Sequence, residues 1–212
     1  MPEIVMPHCP VTAIAGGSAS GKSTLVQTLL NRFPSSIAAL PLDRYYHDLS
    51  HLPLHQRAHT NFDHPNALDI RLFVRHLQSL SGGESIEAPV YDFATHTRQG
   101  SLWIEPQPFI ITEGILLLAI AEIRECIDFS VFLDVPEPVR LERKIKRDTT
   151  ERSRTERYAR EQFFTTVKPV HDELVIPSMQ YADLVLDGTL PTDELVERVM
   201  TKTRDFLMHP TG

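Results

Sequence analysis

The chain reads as an α/β protein built on an open parallel sheet with helices on both faces and carrying a phosphate-binding loop. Three observations predict this. Short apolar runs alternate with stretches of helical spacing. The first run ends in Gly16-Gly17-Ser18-Ala19-Ser20-Gly21-Lys22-Ser23, which satisfies G-x-x-x-x-G-K-[ST], the P-loop NTPase signature. Two other runs end directly in an acidic residue, Asp43 and Glu113.

Val11 to Ala15 is apolar and halted by Gly16, the pattern of a strand buried on both faces. Ser23 to Phe33 has Leu25, Val26, Leu29 and Leu30 at helical spacing, and Pro34 follows its end. Ile37 to Leu42 predicts a second strand. Asp69 to Leu80 carries Ile70, Phe73, Val74 and Leu77 on one helical face and stops at Gly82-Gly83. Ile86–Tyr91 and Ser101–Glu105 predict two strands around a polar loop. They break the alternation, so a β-hairpin insertion is expected over about 84–106. Phe109–Thr112 and Phe129–Val135 are further buried strands. Arg140–Asp148 and Thr155–Val167 are helical, Ala182–Leu186 is a last strand, and Thr192–Leu207 a last helix. No repeat and no low-complexity linker divides the chain, so residues 1–212 are expected to form a single domain.

Composition narrows the function classes. The 212 residues are 42% hydrophobic and 23% charged, an ordinary globular balance. A net charge of -7 with no basic tail speaks against bulk nucleic-acid binding. Cys9 and Cys126 lack metal-ligand spacing and fit a reducing cytoplasm. Met1–Pro10 has neither a basic nor an apolar signal region, and the apolar stretch Ile115–Ala121 is too short to span a bilayer, so no membrane association is expected.

In the loop Gly16–Ser23, glycines let backbone N–H groups turn inward toward phosphate oxygens, and the following helix N-terminus adds positive potential. Lys22 can neutralise the β- and γ-phosphates, and the Ser23 hydroxyl can ligate Mg²⁺. A GTPase switch is disfavoured. None of Asn31, Asn61 and Asn66 precedes a lysine, and no aspartate has glycine three positions later. Asp43 and Glu113 follow strands, where ligands of a parallel sheet bind. One could accept a proton from an attacking hydroxyl while the other holds Mg²⁺, or both could be caps and loop residues.

Between Arg140 and Arg160 nine basic residues meet only Glu142, Asp148, Glu151 and Glu156, and Arg140, Arg143 and Arg147 share a helix face. The segment fits a mobile lid over a triphosphate, a solvated salt-bridged face, or a nucleic-acid patch. Its place beside a phosphate loop in an acidic chain favours the lid, over about 140–160.

From about Thr12 to Asp187 the sequence resembles the uridine–cytidine kinases. The most specific stretches are Asn61-Phe62-Asp63-His64-Pro65 followed by Ala67-Leu68-Asp69, and Pro89-Val90-Tyr91-Asp92-Phe93 followed by His96-Thr97-Arg98. Thr112-Glu113-Gly114-Ile115-Leu116, Lys146-Arg147-Asp148, Glu151-Arg152 and Tyr181-Ala182-Asp183 support them. The resemblance implies transfer of the γ-phosphate of ATP or GTP, with Mg²⁺, to the 5′-hydroxyl of uridine or cytidine, in cytoplasmic pyrimidine salvage by a homotetramer. It implies that Asp43 is the catalytic base and Lys22 the phosphate lysine, within a nucleotide site of Gly16, Gly17, Ser18, Ala19, Ser20, Gly21, Ser23 and Thr24. Ser23 and Glu113 match the Mg²⁺ ligands and Asp63 the ribose contact. Tyr46, Tyr91, Phe93 and His96 match the pyrimidine pocket, Arg147 and Arg152 the triphosphate lid, and Arg154 and Gln162 further nucleoside contacts. Three positions depart from the pattern. Arg44 stands for serine, Lys144 for arginine, and Ser153 for glycine. Another small-molecule kinase on this scaffold, phosphoribulokinase-like or pantothenate kinase-like, is the alternative.

Overall fold

A computed structural model describes residues 8–57, 60–152 and 154–208. Strands β1 (Val11–Gly16), β2 (Ile37–Ala39), β5 (Phe109–Gly114), β6 (Phe129–Asp134) and β7 (Leu184–Asp187) form one parallel sheet in the order β2-β5-β1-β6-β7. Its centre is held in register by Ala13 against Thr112 on one side and Ser130 on the other. Strands β3 (Ile86–Asp92) and β4 (Thr97–Ile104) pair antiparallel as a separate hairpin.

Two apolar layers flank the sheet because strand side chains alternate between faces. Val11, Ala13, Ala15 and Phe132 face one layer, under helix α3 (Ile70–Ser81). Ile14, Val131 and Leu133 face the other, under α1 (Lys22–Arg32) and the C-terminal helix (Thr192–Met208). Two single-turn helices, α2 (Leu54–Arg57) and α4 (Ala121–Arg124), lie in the connections. Asp69 caps α3, its carboxylate accepting from the Leu72 N–H at 3.2 Å. Helix α5 (Glu137–Glu151) returns from the end of β6 with Arg140, Lys144 and Asp148 on its buried face.

Three elements differ from the sequence expectation. The strand expected over Ile37–Leu42 stops at Ala39. After Pro41 the backbone closes a 3₁₀ turn over Leu42–Tyr45, with Leu42 and Tyr45 buried, so an apolar run there serves a turn rather than a strand. The helix expected over Thr155–Val167 begins as α6 (Glu156–Gln162) and stays helical to Ser178. It passes Pro169 and Pro177, each preceded by a π-helical turn, Phe163–Val167 and His171–Val175. The expected hairpin is present, and β4 runs further toward the turn than expected, starting at Thr97. Among the described residues, no helix is long and apolar enough to cross a membrane. Ser153 lies outside the described residues.

Candidate functional site

The loop between β1 and α1 is shaped by residues with positive φ: Gly16 at 138°, Ala19 at 62° and Gly21 at 99°. Glycine suits the first and last of these because a side chain there meets backbone strain. Gly17 has a different constraint. A Cβ on it would lie 2.8 Å from the His171 ring and 3.0 Å from Arg140 Nη1, so both side chains press against the loop from behind.

The loop forms one wall of a cavity of about 510 Å³ lined by Ser18 to Thr24, Asp43, Glu113, Arg143, Arg147, Gly188, Leu190, Thr192 and Leu195. Lys22 is buried and donates to the Gly17 carbonyl at 2.8 Å. The Ser23 hydroxyl donates to Glu113 Oε1 at 2.7 Å. Two hard oxygen donors therefore sit together at the loop, a set suited to Mg²⁺, which takes one or two protein oxygens and completes its shell with phosphate and water. Arg143 donates to the carbonyls of Ser20 and Gly188, at 3.3 and 3.1 Å, fixing α5 to the loop.

A second cavity, of about 720 Å³, is lined by Tyr46, Phe62, Asp63, Tyr91, Phe93, His96, Lys144, Arg152, Arg154 and Gln162. The two cavities share Ser18, Asp43, Ile115, Arg147 and Glu151. Asp43 thus stands where they meet.

Electrostatics at that junction are set by burial. It raises Asp43 above the ordinary carboxylate range, against the opposing charges of Lys22, Arg152 and Arg147. Burial raises Glu113 too, and the Asp43 charge adds to the rise while Lys22 opposes it. Lys22 is lowered by burial, with Glu113 and Asp43 opposing. Asp63 is likewise raised by burial, opposed first by Lys144.

The second cavity is an aromatic box. Tyr46 lies 5.2 Å from Tyr91 and edge-on to Phe62 and Phe93, at 5.3 and 6.4 Å between ring centroids. Phe62 stacks on His96 at 4.4 Å with 13° between planes. His96 takes a positive φ of 55° at the hairpin turn, and burial lowers its ring below the usual histidine value, leaving it neutral near pH 7. Its Nδ1 and the Tyr91 hydroxyl are buried without a hydrogen-bond partner among the described residues. Buried polar atoms are normally paired, so these two fit the polar edge of a bound ring.

The basic segment divides in two. Arg140 and Lys144 are each 2% exposed and form fixed wall rather than a mobile cover. Fully buried Asp148 gathers four cations: Lys144 Nζ lies 2.6 Å away, and Arg147, Arg152 and Arg154 lie 3.4 to 3.7 Å away. Burial pushes the Asp148 carboxyl up, but the hydrogen bond from Lys144 and the surrounding cations together hold it below its ordinary value. Lys144 also donates to Gln162 Oε1 at 2.9 Å, and Arg154 donates to the same oxygen at 3.2 Å. Of the departing residues, Lys144 is this buried ion-pair partner, and Arg44 keeps its Nε buried without a hydrogen-bond partner among the described residues.

Every site residue singled out in the sequence, apart from Gly16 and Gly17 behind the loop, lines one or both cavities. Sequence reasoning missed Phe62, Asp148 as an organiser, His171, and the wall of the first cavity formed by Gly188, Leu190, Thr192 and Leu195. Phe62 lies inside a family-specific stretch and carries no periodicity to mark it. Asp148 is one acid inside a charged stretch, and His171 and Gly188 lie far along the chain from the loop they touch.

Comparison with known proteins agrees with this geometry. The family model of the phosphoribulokinase / uridine kinase family matches residues 11–195. The chain is 44% identical over 185 residues to a uridine kinase from Enterobacter sp. (strain 638), covering 84% of this chain and 87% of that one. It is 45% identical, over the same shares, to a uridine kinase from Salmonella paratyphi B. The fold resembles phosphoribulokinase from Rhodobacter spheroides, with a TM-score of 0.61 at 11% identity over 86% of this chain and 73% of that one.

Proposed function

The chain belongs to the phosphoribulokinase / uridine kinase family, and on that premise we propose that it is a uridine/cytidine kinase transferring the γ-phosphate of ATP or GTP to the nucleoside 5′-hydroxyl. The observation that carries this reading is the position of Asp43, shared by the phosphate-loop cavity and the aromatic cavity. A donor triphosphate on the loop and a nucleoside in the box would meet at that carboxylate.

Asp43 takes the proton of the attacking hydroxyl. Burial makes it a stronger base than an exposed aspartate, which suits general-base work near neutral pH. Lys22 leaves the Gly17 carbonyl for the phosphates, and Arg147 and Arg152 stabilise charge on the transferring group. Asp63 receives the ribose hydroxyls, a carboxylate being able to accept from both members of a vicinal diol. Tyr46, Tyr91 and Phe93 enclose the base, and His96 Nδ1 meets its edge. Arg154 and Gln162 close the nucleoside side. Ser23 and Glu113 would hold Mg²⁺, which would supply charge neutralisation at the triphosphate. On the family pattern the reaction belongs to pyrimidine salvage in the cytoplasm, and the assembly is a homotetramer.

The test is a phosphate-acceptor screen with ATP and Mg²⁺ across the common nucleosides, ribulose 5-phosphate and pantothenate. Uridine and cytidine should be turned over and purine nucleosides rejected. Preference for either of the last two acceptors would replace the reading with one of its relatives.

A further inference from the structure

Arg98 is the only guanidinium among the described residues that donates to the backbone of the turn carrying Asp43 and Tyr46. It sits on β4, paired across the hairpin with Tyr91 and two residues beyond His96. Its Nε donates to the Tyr46 carbonyl at 2.9 Å and its Nη2 to the Tyr45 carbonyl at 3.3 Å. Both Nη atoms also reach Asp69 Oδ2 at 3.4 Å. Asp69 is tied to the same turn, its N–H donating to the Tyr45 carbonyl at 2.8 Å. The Arg98 backbone N–H donates to Asp48 Oδ1 at 3.2 Å, and the Leu49 N–H to the His96 carbonyl at 3.3 Å. One side chain thus joins the hairpin, the Asp43–Tyr46 turn and the cap of α3.

The chemistry requires this residue type. Two carbonyl oxygens on successive residues and a carboxylate oxygen lie around one planar head. A guanidinium offers five N–H donors in a fixed fork, whereas an ammonium could satisfy only part of the set at once. Arg98 itself does not line either cavity, so it is not placed to touch a substrate.

We propose that Arg98 is a positioning residue for phosphoryl transfer, holding the turn that carries Asp43 at a fixed distance from the hairpin wall that carries Tyr91, Phe93 and His96. The proposal rests on the reading of Asp43 as the base and of the hairpin as the nucleoside wall. A nucleoside seated against the hairpin then presents its hydroxyl to Asp43 without further adjustment, and loss of the tie moves the base relative to its target. Misplacement on the order of 1 Å costs about 10²-fold in rate.

The test is a double-mutant cycle on kcat with Arg98→Met, Asp43→Asn and the pair, using ATP and uridine. Arg98→Met should lower kcat about 10- to 100-fold while the KM for ATP and the affinity for an ATP analogue stay within about twofold, because the phosphate loop is untouched. In the Asp43→Asn background the same change should lower the residual kcat by less than about threefold, since there is no base left to misplace. Arg98→Lys should recover part of the rate. Additive losses in the cycle, or a raised KM for ATP with kcat unchanged, would overturn the proposal. If Arg98→Met melts too low to assay, Arg98→Lys runs the same cycle under the same rule. Turnover by the unmutated enzyme tests the kinase reading separately, and the cycle is run on whichever hydroxyl acceptor that enzyme uses.

Discussion

Asp43 is pulled in opposite directions, up by burial and down by Lys22, Arg152 and Arg147, and burial wins. Its rate contribution should therefore fall away as pH drops through a midpoint above the ordinary carboxylate range. Asp43→Asn should abolish that limb and lower kcat by about 10²–10⁴-fold, with uridine binding by calorimetry retained. His96→Ala should lower kcat/KM for uridine and cytidine alike by about 1–3 kcal/mol, measured by steady-state kinetics, because a neutral imidazole can donate to one base edge and accept from the other. His171 concerns stability instead. It is 6% exposed, and burial with the Arg140 charge lowers its ring from 6.5 to about 4. The unfolded chain therefore binds the proton more readily. The stability due to neutral His171 is complete above pH 6.5 and is lost as pH falls toward 4, by on the order of 3 kcal/mol. His171→Gln should flatten the dependence of Tm on pH in that window. No periodicity marks His171 in the sequence, since one histidine inside a helix looks alike whether it faces solvent or the back of a loop 154 positions earlier.

At the scale of elements, α5 and α6 behave differently from a uniform basic lid. The first turns of α5 are fixed by buried Arg140, by buried Lys144 and by Arg143 on the Ser20 and Gly188 carbonyls. On the lid reading of this segment, closure over nucleotides is confined to the residues beyond Asp148. Trypsin cleavage after Arg152, Arg154 and Arg157 should slow when an ATP analogue and uridine are both bound, while Arg140 and Arg143 resist cleavage with or without ligand. Asp148→Asn leaves buried Lys144 without its counter-charge and should destabilise the fold by about 3–5 kcal/mol, read as a lower Tm. Charge counting in the sequence finds the cations of this segment but not that one acid collects four of them, because burial is not a property of composition. The helix beyond Val167 escapes sequence reading for a related reason. Proline reads as a helix breaker, yet a π-helical turn comes just before each of Lys168-Pro169 and Ile176-Pro177, so the helix continues where an α-helical register would not accommodate the missing N–H as readily.

Over the whole molecule, the legible part is the part with period and punctuation. Strands buried on both faces announce themselves as apolar runs, and Val11–Gly16, Phe109–Gly114 and Phe129–Asp134 lie within two residues of their expected limits. The order of those strands was not legible: β5 and β6 flank β1 although each is separated from it by more than ninety positions of chain. That order brings Glu113 beside Ser23 and builds the cavity lined by the phosphate loop. Gly188 belongs to the same arrangement, since a Cβ there would lie 2.5 Å from Val135 Cγ2. Gly188→Ala should cost about 1–3 kcal/mol by overpacking, seen in denaturant midpoints at unchanged slope. The shared wall of Ser18, Asp43, Ile115, Arg147 and Glu151 has a pharmacological consequence. Two neighbouring chambers lined in part by the same residues can be spanned by one molecule. Adenosine and uridine joined 5′ to 5′ through a phosphate chain would bind both, the second half arriving at an effective concentration in the millimolar range or above. Such a compound should compete with ATP and with uridine at once, and trimming either end should return its affinity to that of an ordinary single-site ligand.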